Sequence, residues 1–180
     1  MEKIIEDLEK DLRSIVEGRP PRVLREKLGD MVDIRMFRMI DFSLQWASVG
    51  YQSALRFAGM KLGKRIGQNS EKSEISFILE EIKKIIETLK GGRVEVEIMA
   101  KSRGAQIKIY ESSLTAGVSN ILQTLCFFEE GFIEGYFDGI IAKKGALAVA
   151  GTDINIINTT VEEKRCVGLG DDFCGFLIKF

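Results

Sequence analysis

The 180-residue sequence contains no histidine. That absence removes Ser-His-Asp and Cys-His catalysis, histidine-based zinc sites and proximal-histidine haem ligation together. Cysteine is scarce: there are three, and an odd number cannot pair completely within one chain. An excess of one charge is also missing, with Lys+Arg 26 against Asp+Glu 27. No run of five basic residues occurs, so the concentrated positive field that phosphate backbones require is lacking and nucleic acid is not expected as a partner. No segment approaches the roughly 20 apolar residues needed to cross a bilayer. The N-terminal "MEKIIEDLEKDL" alternates charged and apolar residues and offers no apolar run of signal-peptide type. The expectation is a cytoplasmic protein with no membrane insertion, in a reducing compartment that disfavours a structural disulfide.

What is present suits one core. The length fits a single domain with a small N-terminal addition, and 45% of the residues are hydrophobic. Ile4, Ile5, Leu8, Leu12, Ile15 and Val16 recur at helical spacing, and Gly18 with the chain's two prolines, Pro20 and Pro21, ends the segment. This divides the chain into an N-terminal helix, residues 1–19, and a main domain, residues 20–180. The stretch Val23 to Met39 is ambiguous: "VLREKLGDM" reads as a short helix, while "MVDIRMFRM" has no clean period. A long helix is expected from about Ser43 to Ile66, with Ala47, Gly50, Ala54 and Ala58 forming a small-residue stripe and Trp46, Val49, Ser53 and Phe57 a bulkier one. The next helix, near Glu71 to Lys90, carries Ile75, Ile78, Leu79, Ile82, Ile85, Ile86 and Leu89 on one face, and Gly91-Gly92 ends it.

The period then changes to two. Val94, Val96 and Ile98 alternate with Glu95 and Glu97, and Ile107 and Ile109 with Lys108. A hairpin turning at "AKSRGA" would pair Ile98 with Ile107 and set Glu97 opposite Lys108. Helical spacing returns between Leu114 and Ala142 through Val118, Ile121, Leu122, Leu125, Phe128 and Phe132. Strands are expected near Ala146 to Ala150, Ile154 to Val161 and Phe173 to Phe180. Helices first, then strands split by one long helix, give an α+β fold: a mostly antiparallel β-sheet packed against several α-helices.

Several motifs fail on context. "GLGDD" contains G-x-G but leads into strand-like sequence, whereas a dinucleotide loop must open a helix. "GMKLGKRIG" is basic and amphipathic, which suits a membrane surface or an acidic ligand, or simply a solvated helix end. The adjacent acids Glu129-Glu130, Glu162-Glu163 and Asp171-Asp172 point in different directions and receive no catalytic role.

The last nineteen residues, "EEKRCVGLGDDFCGFLIKF", hold Cys166 and Cys174 eight apart, with Glu163 three ahead of the first. Two strand-like runs around a Gly-rich turn would fold Cys174 back beside Cys166. On a regular strand Glu163 and Cys166 would face opposite ways, so both serve one site only if the strand bulges or ends between them. Read by themselves, these residues are either a metal site or three packed thiols and a surface glutamate.

The pattern E-x-x-C, then eight residues to a second cysteine followed by G-F-x-I, resembles the C-terminal signature of the 4-vinyl reductase domain family. "CFFEEGFIEGYF" is similar to that family's helix segment through Cys126, Gly131, Gly135 and Tyr136, and "ALRFAGMKLGKRIG" to its earlier A-G-x-x-x-G helix. The resemblance spans roughly Gln52 to Phe180 and is strongest over the last 55 residues. The connection "DGIIAKKGALAVAGTDINIINTTV" looks longer here than in the family's sensors.

The resemblance implies a fold shared with small subunits of the Golgi transport-particle (TRAPP) complex and with haem-nitric-oxide sensors. Related chains are described as predicted hydrocarbon-binding proteins. In sensor domains of the family the matching residues, here Cys126, Glu163, Cys166 and Cys174, hold one zinc ion. Four protein ligands leave no position for water, so such a zinc is structural; Lys164, Arg165 and the amides of "VGLGDD" are candidates to balance the surplus negative charge. The function implied is binding or sensing of an apolar or aromatic small molecule by a homodimer. Candidate pocket residues are Phe42, Trp46, Phe57 and Phe128. Nothing pairs a nucleophile with a base, which disfavours an enzyme. The alternatives are an enzyme acting on vinyl groups of a tetrapyrrole, which requires turnover with a reductant, and a TRAPP-like adaptor, which requires an exposed apolar patch.

Overall fold

A computed structural model describes residues 2–47, 50–99, 104–149 and 155–180. In chain order these form α1 (Glu2–Val16), α2 (Ile34–Ala47), α3 (Tyr51–Gly67), α4 (Ile75–Thr88), β1 (Arg93–Met99), β2 (Gly104–Tyr110), α5 (Phe127–Lys144), β3 (Leu147–Ala148), β4 (Asn155–Ile156), β5 (Thr160–Arg165) and β6 (Cys174–Lys179). The main sheet is antiparallel with order β1-β2-β6-β5, and β3 and β4 pair separately. The fold is α+β, as the alternation of periods predicts.

One sheet face is apolar because period two puts Val94, Ala105, Ile107, Ile109, Cys174, Phe176, Ile178 and Val161 on the same side, all buried. Against β1 packs α4, whose predicted stripe of Ile75, Ile78, Leu79, Ile82, Ile85 and Ile86 is buried in full, while Leu89 lies beyond the helix and is exposed. Leu12 and Ile15 of α1 join the same core, and α1 lies along α4 and α3. Its buried Glu9 pairs with Arg65 of α3.

The most intimate contact is between α3 and α5. Gly59, Gly63 and Gly67 recur every four residues on α3, and Gly131, Gly135 and Gly139 do so on α5. A Cβ added at any of the six would overlap a backbone carbonyl oxygen of the other helix: Gly63 faces Phe132, Gly135 faces Met60, Gly139 faces Lys64. Contacts that climb together along both sequences mean the helices run in the same direction. Arg56 bridges Glu130 (2.8 Å) and Glu134 (2.6 Å) across the seam. The small-residue stripe anticipated at Ala54 and Ala58 is exposed instead. The seam lies on the glycine register, and Ala47 has no described side chain.

Three other expectations shift. The helix expected over Ser43 to Ile66 is two: α2 begins at Ile34, and α3 starts after Gly50, whose φ of 103° is left-handed and incompatible with a continuing helix. The helical spacing from Leu114 does not make a helix before Phe127, because Gly117 (φ 73°) and Leu122 (φ 59°) turn the backbone left-handed. There the amides of Ile121 and Gln123 donate to the Gly168 carbonyl, and Leu122 is exposed. In the hairpin, Gly104 and Ala105 belong to β2, so Val96 pairs with Ile107, Ile98 with Ala105 and Glu95 with Lys108. Lys108 reaches Glu97 only diagonally, at 3.5 Å. Residues 100–103 of the anticipated turn and Ile154 of an anticipated strand lie outside the described residues.

Gly135→Ala should force the α3–α5 seam apart and lower stability by about 2 kcal/mol or more, since overpacking against backbone cannot relax by a rotamer change. Denaturant unfolding checks this; an unchanged midpoint would contradict the backbone contact.

Candidate metal centre and its surroundings

Three separate elements deliver the candidate ligands. Cys126 immediately precedes α5, Glu163 lies on β5, Cys166 follows β5, and Cys174 opens β6. The odd spacing between Glu163 and Cys166 is accommodated by a register shift in the β5–β6 pairing between Glu163 and Arg165. Lys164 is the extra residue, and Glu163 and Cys166 therefore face the interior together. The connecting turn is held by Asp171, whose Oδ2 accepts from the Cys166 amide at 2.9 Å, and by the Cys166 carbonyl, which accepts from Leu169 and Asp171. Gly170, at φ 93°, reverses the chain.

The result is a cluster whose ligand atoms all lie within 4.8 Å of one another. All three cysteines are fully buried and unbridged. Cys126 Sγ donates to Cys174 Sγ at 3.1 Å, and Cys174 Sγ is 3.9 Å from Cys166 Sγ. Roughly 3.8 Å separates two thiolates on one tetrahedral ion with bonds near 2.3 Å. Glu163 is 8% exposed; its Oε2 accepts the Cys126 amide at 3.2 Å, while Oε1 is buried with no hydrogen-bond partner. An orphaned carboxylate oxygen facing three thiols is an unfavourable arrangement that a metal ion corrects. The donor set fits a soft-to-borderline cation with closed four-fold coordination.

Electrostatics follow from this crowding. Contact with Cys126 and then with Cys166 draws the Cys174 thiol down to about 4, helped by the Val167 amide and the Thr115 hydroxyl, which lies 3.5 Å from its sulfur. Cys126 is pushed up by its contacts with the other two sulfurs and by burial. Cys166 is drawn down by Cys126 but raised further by Cys174 and by burial, with a net rise. Burial, then the Cys166 charge, pushes Glu163 up to about 8. One thiolate is thus shared among four groups.

Of the charge-balancing residues anticipated, Lys164 pairs with Glu162 and Arg165 with Asp171 (3.5 Å), both on the outer surface. The Val167 amide is the part of that expectation that reaches the cluster. Thr115, which sequence reasoning missed, is fully buried against it. No period or motif marks a threonine in an irregular loop as a sulfur partner.

The four aromatic candidates are not gathered into one pocket among the described residues. Phe42 on α2 and Phe128 on α5 are half-buried against the core, and Phe128 stacks on Phe132. Phe57 is 56% exposed beneath Lys61. The side chain of Trp46 lies outside the described residues. A shallow groove open to solvent runs along α2, lined by Arg35, Arg38, Met39 and Phe42. Around it α2 exposes Met36, Phe37, Ile40 and Leu44. Glu129, in the first turn of α5, is pushed up to about 8 by burial first and by the charges of Glu163 and Asp41.

Comparison with known proteins shows what the chain is similar to. No family model matches the chain. Two uncharacterised proteins of Methanocaldococcus jannaschii are similar in sequence. One is 26% identical over 156 residues, 86% of this chain and 81% of its own; the other is 24% identical over 173 residues, 96% and 88%. Among solved structures, a vinyl-4-reductase family protein from the same organism superposes with a TM-score of 0.56 at 18% identity, over 99% of this chain and 96% of its own. The chain has the vinyl-4-reductase fold. The phenol-responsive sensory domain of the transcription activator PoxR, solved with phenol, is similar to this fold with a TM-score of 0.62 at 15% identity, over 94% and 89%. Among the described residues no helix is long and apolar enough to cross a membrane.

The cluster's protonation sets its response to metal. Near pH 7 Cys126, Cys166 and Glu163 hold protons and Cys174 does not. One equivalent of zinc should therefore displace about three protons, and apparent affinity should fall by about a thousandfold per unit as pH drops from 7 to 5. Calorimetry in buffers of different ionisation enthalpy reads the count; release of fewer than about one proton would contradict the ligand set.

Proposed function

We propose that this vinyl-4-reductase fold is a small-molecule-binding domain of sensory type, stabilised by one structural zinc on Cys126, Glu163, Cys166 and Cys174. The zinc reading is supported by the buried cluster and by the unpartnered Glu163 Oε1 at its edge. The binding reading is carried by the similarity to a sensory domain solved with phenol. Zinc would supply structural cross-linking alone, since four protein ligands close its coordination. It would join the start of α5 to both strands of the C-terminal hairpin. The ligand is apolar or aromatic, taken up beside α2, where Phe42 and Phe128 offer half-buried rings. Free thiols at a metal cluster suit a reducing compartment, and we place the protein in the cytoplasm.

The same surface bears on assembly. Met36, Met39 and Ile40 are 57%, 63% and 49% exposed, and Leu24, Leu28 and Met31 precede them in equally open positions. An apolar surface of that kind marks an interaction site. We assign it to a second copy of this chain, in a homodimer through α2. The apolar side of α1, the dimerisation helix suggested by its pattern, buries Leu12 and Ile15 on its own domain and leaves Ile4 and Leu8 exposed. An adaptor role is favoured by the same patch, with a different protein covering it.

Native mass spectrometry of the protein with zinc, alone and with a panel of aromatics and fatty acids, tests both readings. The expected spectrum shows a dimer near twice 20.2 kDa and mass shifts with aromatic compounds. A monomer at micromolar concentration contradicts the dimer. No adduct with any of the compounds contradicts the binding role.

A further inference from the structure

We propose that Cys126 and Cys174 form a reversible disulfide when the cluster meets hydrogen peroxide, so that the site exchanges one zinc ion for one cross-link between the start of α5 and β6. The exchange rests on the zinc reading above, while the choice of cysteine pair rests on the arrangement of the three sulfurs.

Cys174 Sγ is the middle sulfur, 3.1 Å from Cys126 Sγ and 3.9 Å from Cys166 Sγ. The first separation is shorter than the roughly 3.8 Å that two thiolates keep on one tetrahedral zinc. The fold itself therefore holds this pair together, and a disulfide needs its sulfurs to close by only about 1 Å. Both outer cysteines have pinned backbones, so the distances decide between them. The Cys126 amide donates to Glu163 Oε2 at 3.2 Å, and its carbonyl accepts from Glu130 at 3.0 Å in the first turn of α5. The Cys166 amide donates to Asp171 Oδ2 at 2.9 Å, and its carbonyl accepts from Leu169 and Asp171. Chain separation favours the same pair, which closes 48 residues against 8 and so constrains the unfolded chain more.

The chemistry balances with hydrogen peroxide as the oxidant. The Cys174 sulfur attacks one peroxide oxygen, the O–O bond breaks, and the departing oxygen takes a proton and leaves as water, which makes Cys174 a sulfenic acid. The Cys126 sulfur attacks that sulfur, the S–O bond breaks, and a second proton carries the oxygen away as water. Two thiolates have given up two electrons, peroxide has accepted them, and two protons are consumed. Cys166 and Glu163 remain, two ligands where zinc takes four. All three cysteines are fully buried and Glu163 is 8% exposed, which admits a small oxidant in preference to a bulky one. Zinc ties α5 to both arms of the C-terminal hairpin, whereas the disulfide ties it to β6 alone. Oxidation thus releases the β5 arm and keeps the joint between helix and sheet.

The test treats the full chain, purified without chelator, with hydrogen peroxide beside an untreated control. Released zinc is read with a chromogenic chelator, remaining thiols are blocked with N-ethylmaleimide, and the disulfide is mapped by mass spectrometry. Trypsin with Asp-N cleaves after Arg165 and before Asp171, which parts Cys166 from Cys174. About one zinc should leave per disulfide, Cys126–Cys174 should exceed Cys166–Cys174 at least about tenfold, and Cys166 should carry the blocking group. Dithiothreitol with zinc should restore the starting state. Cys166→Ser should keep the disulfide and Cys174→Ser should lose it; if either variant fails to fold, the wild-type map decides. With zinc bound at the start, a predominant Cys166–Cys174 bond, sulfinic acids without a disulfide, or three thiols left intact would overturn this proposal alone. A chain that binds no zinc yet joins Cys126 to Cys174 would overturn the zinc reading and the exchange, and leave the choice of pair standing.

Discussion

Helices α3 and α5 touch backbone to backbone, and the rest of the molecule is arranged around that contact. Six glycines, three on each helix at four-residue spacing, make the approach possible, and no side chain can replace them without meeting a carbonyl oxygen. With one side fixed against α3, α5 presents Phe132, Ile133, Tyr136, Phe137 and Ile140 to its surroundings as buried residues. A helix apolar around most of its circumference belongs in an interior. Its N-terminus is thereby set beside β5 and β6, with Cys126 directed at the hairpin that carries the other three candidate ligands.

A metal ion held at that N-terminus would solve a problem the glycine seam leaves open. The seam ties helix to helix, while helix and sheet meet mainly through dispersion and apolar burial, which are strong but tolerant of sliding. Four ligands drawn from both sides would remove that freedom. The cost of holding three thiols and a carboxylate in one buried place is visible in the shifts of Cys126 and Glu163, and a divalent cation would offset it. The α2 side of the molecule, by contrast, has little to hold it. Its apolar residues Met36, Phe37, Met39 and Ile40 are exposed.

The legible parts of the sequence were those where one local rule acts without competition. The period of α4 is uninterrupted from Ile75 to Ile86, and every predicted face residue within that span is buried. The Glu163–Cys166 spacing demanded an irregular strand, and the β5–β6 register shifts between Glu163 and Arg165. Where two rules compete, period alone misleads. Val118, Ile121, Leu122 and Leu125 keep helical spacing, but left-handed Gly117 and Leu122 override it. Gly50 does the same to the helix expected to continue through it. The hairpin register depended on how many residues the turn consumes, which alternation cannot count. Lys164 and Arg165 sit beside the cluster in sequence, yet strand geometry points them outward to Glu162 and Asp171. Thr115 matters through tertiary proximity to the Cys174 sulfur, which no linear pattern encodes.

The central claim is that one zinc ion joins α5 to the C-terminal hairpin through three sulfurs and one oxygen. X-ray absorption at the zinc edge, on protein purified without chelator, tests it most directly. The account predicts about one zinc per chain, with three sulfur neighbours near 2.3 Å and one oxygen near 2.0 Å. Less than about 0.2 zinc per chain, unrestored by added zinc, or a shell dominated by oxygen, would contradict it and leave three buried thiols as simple packing.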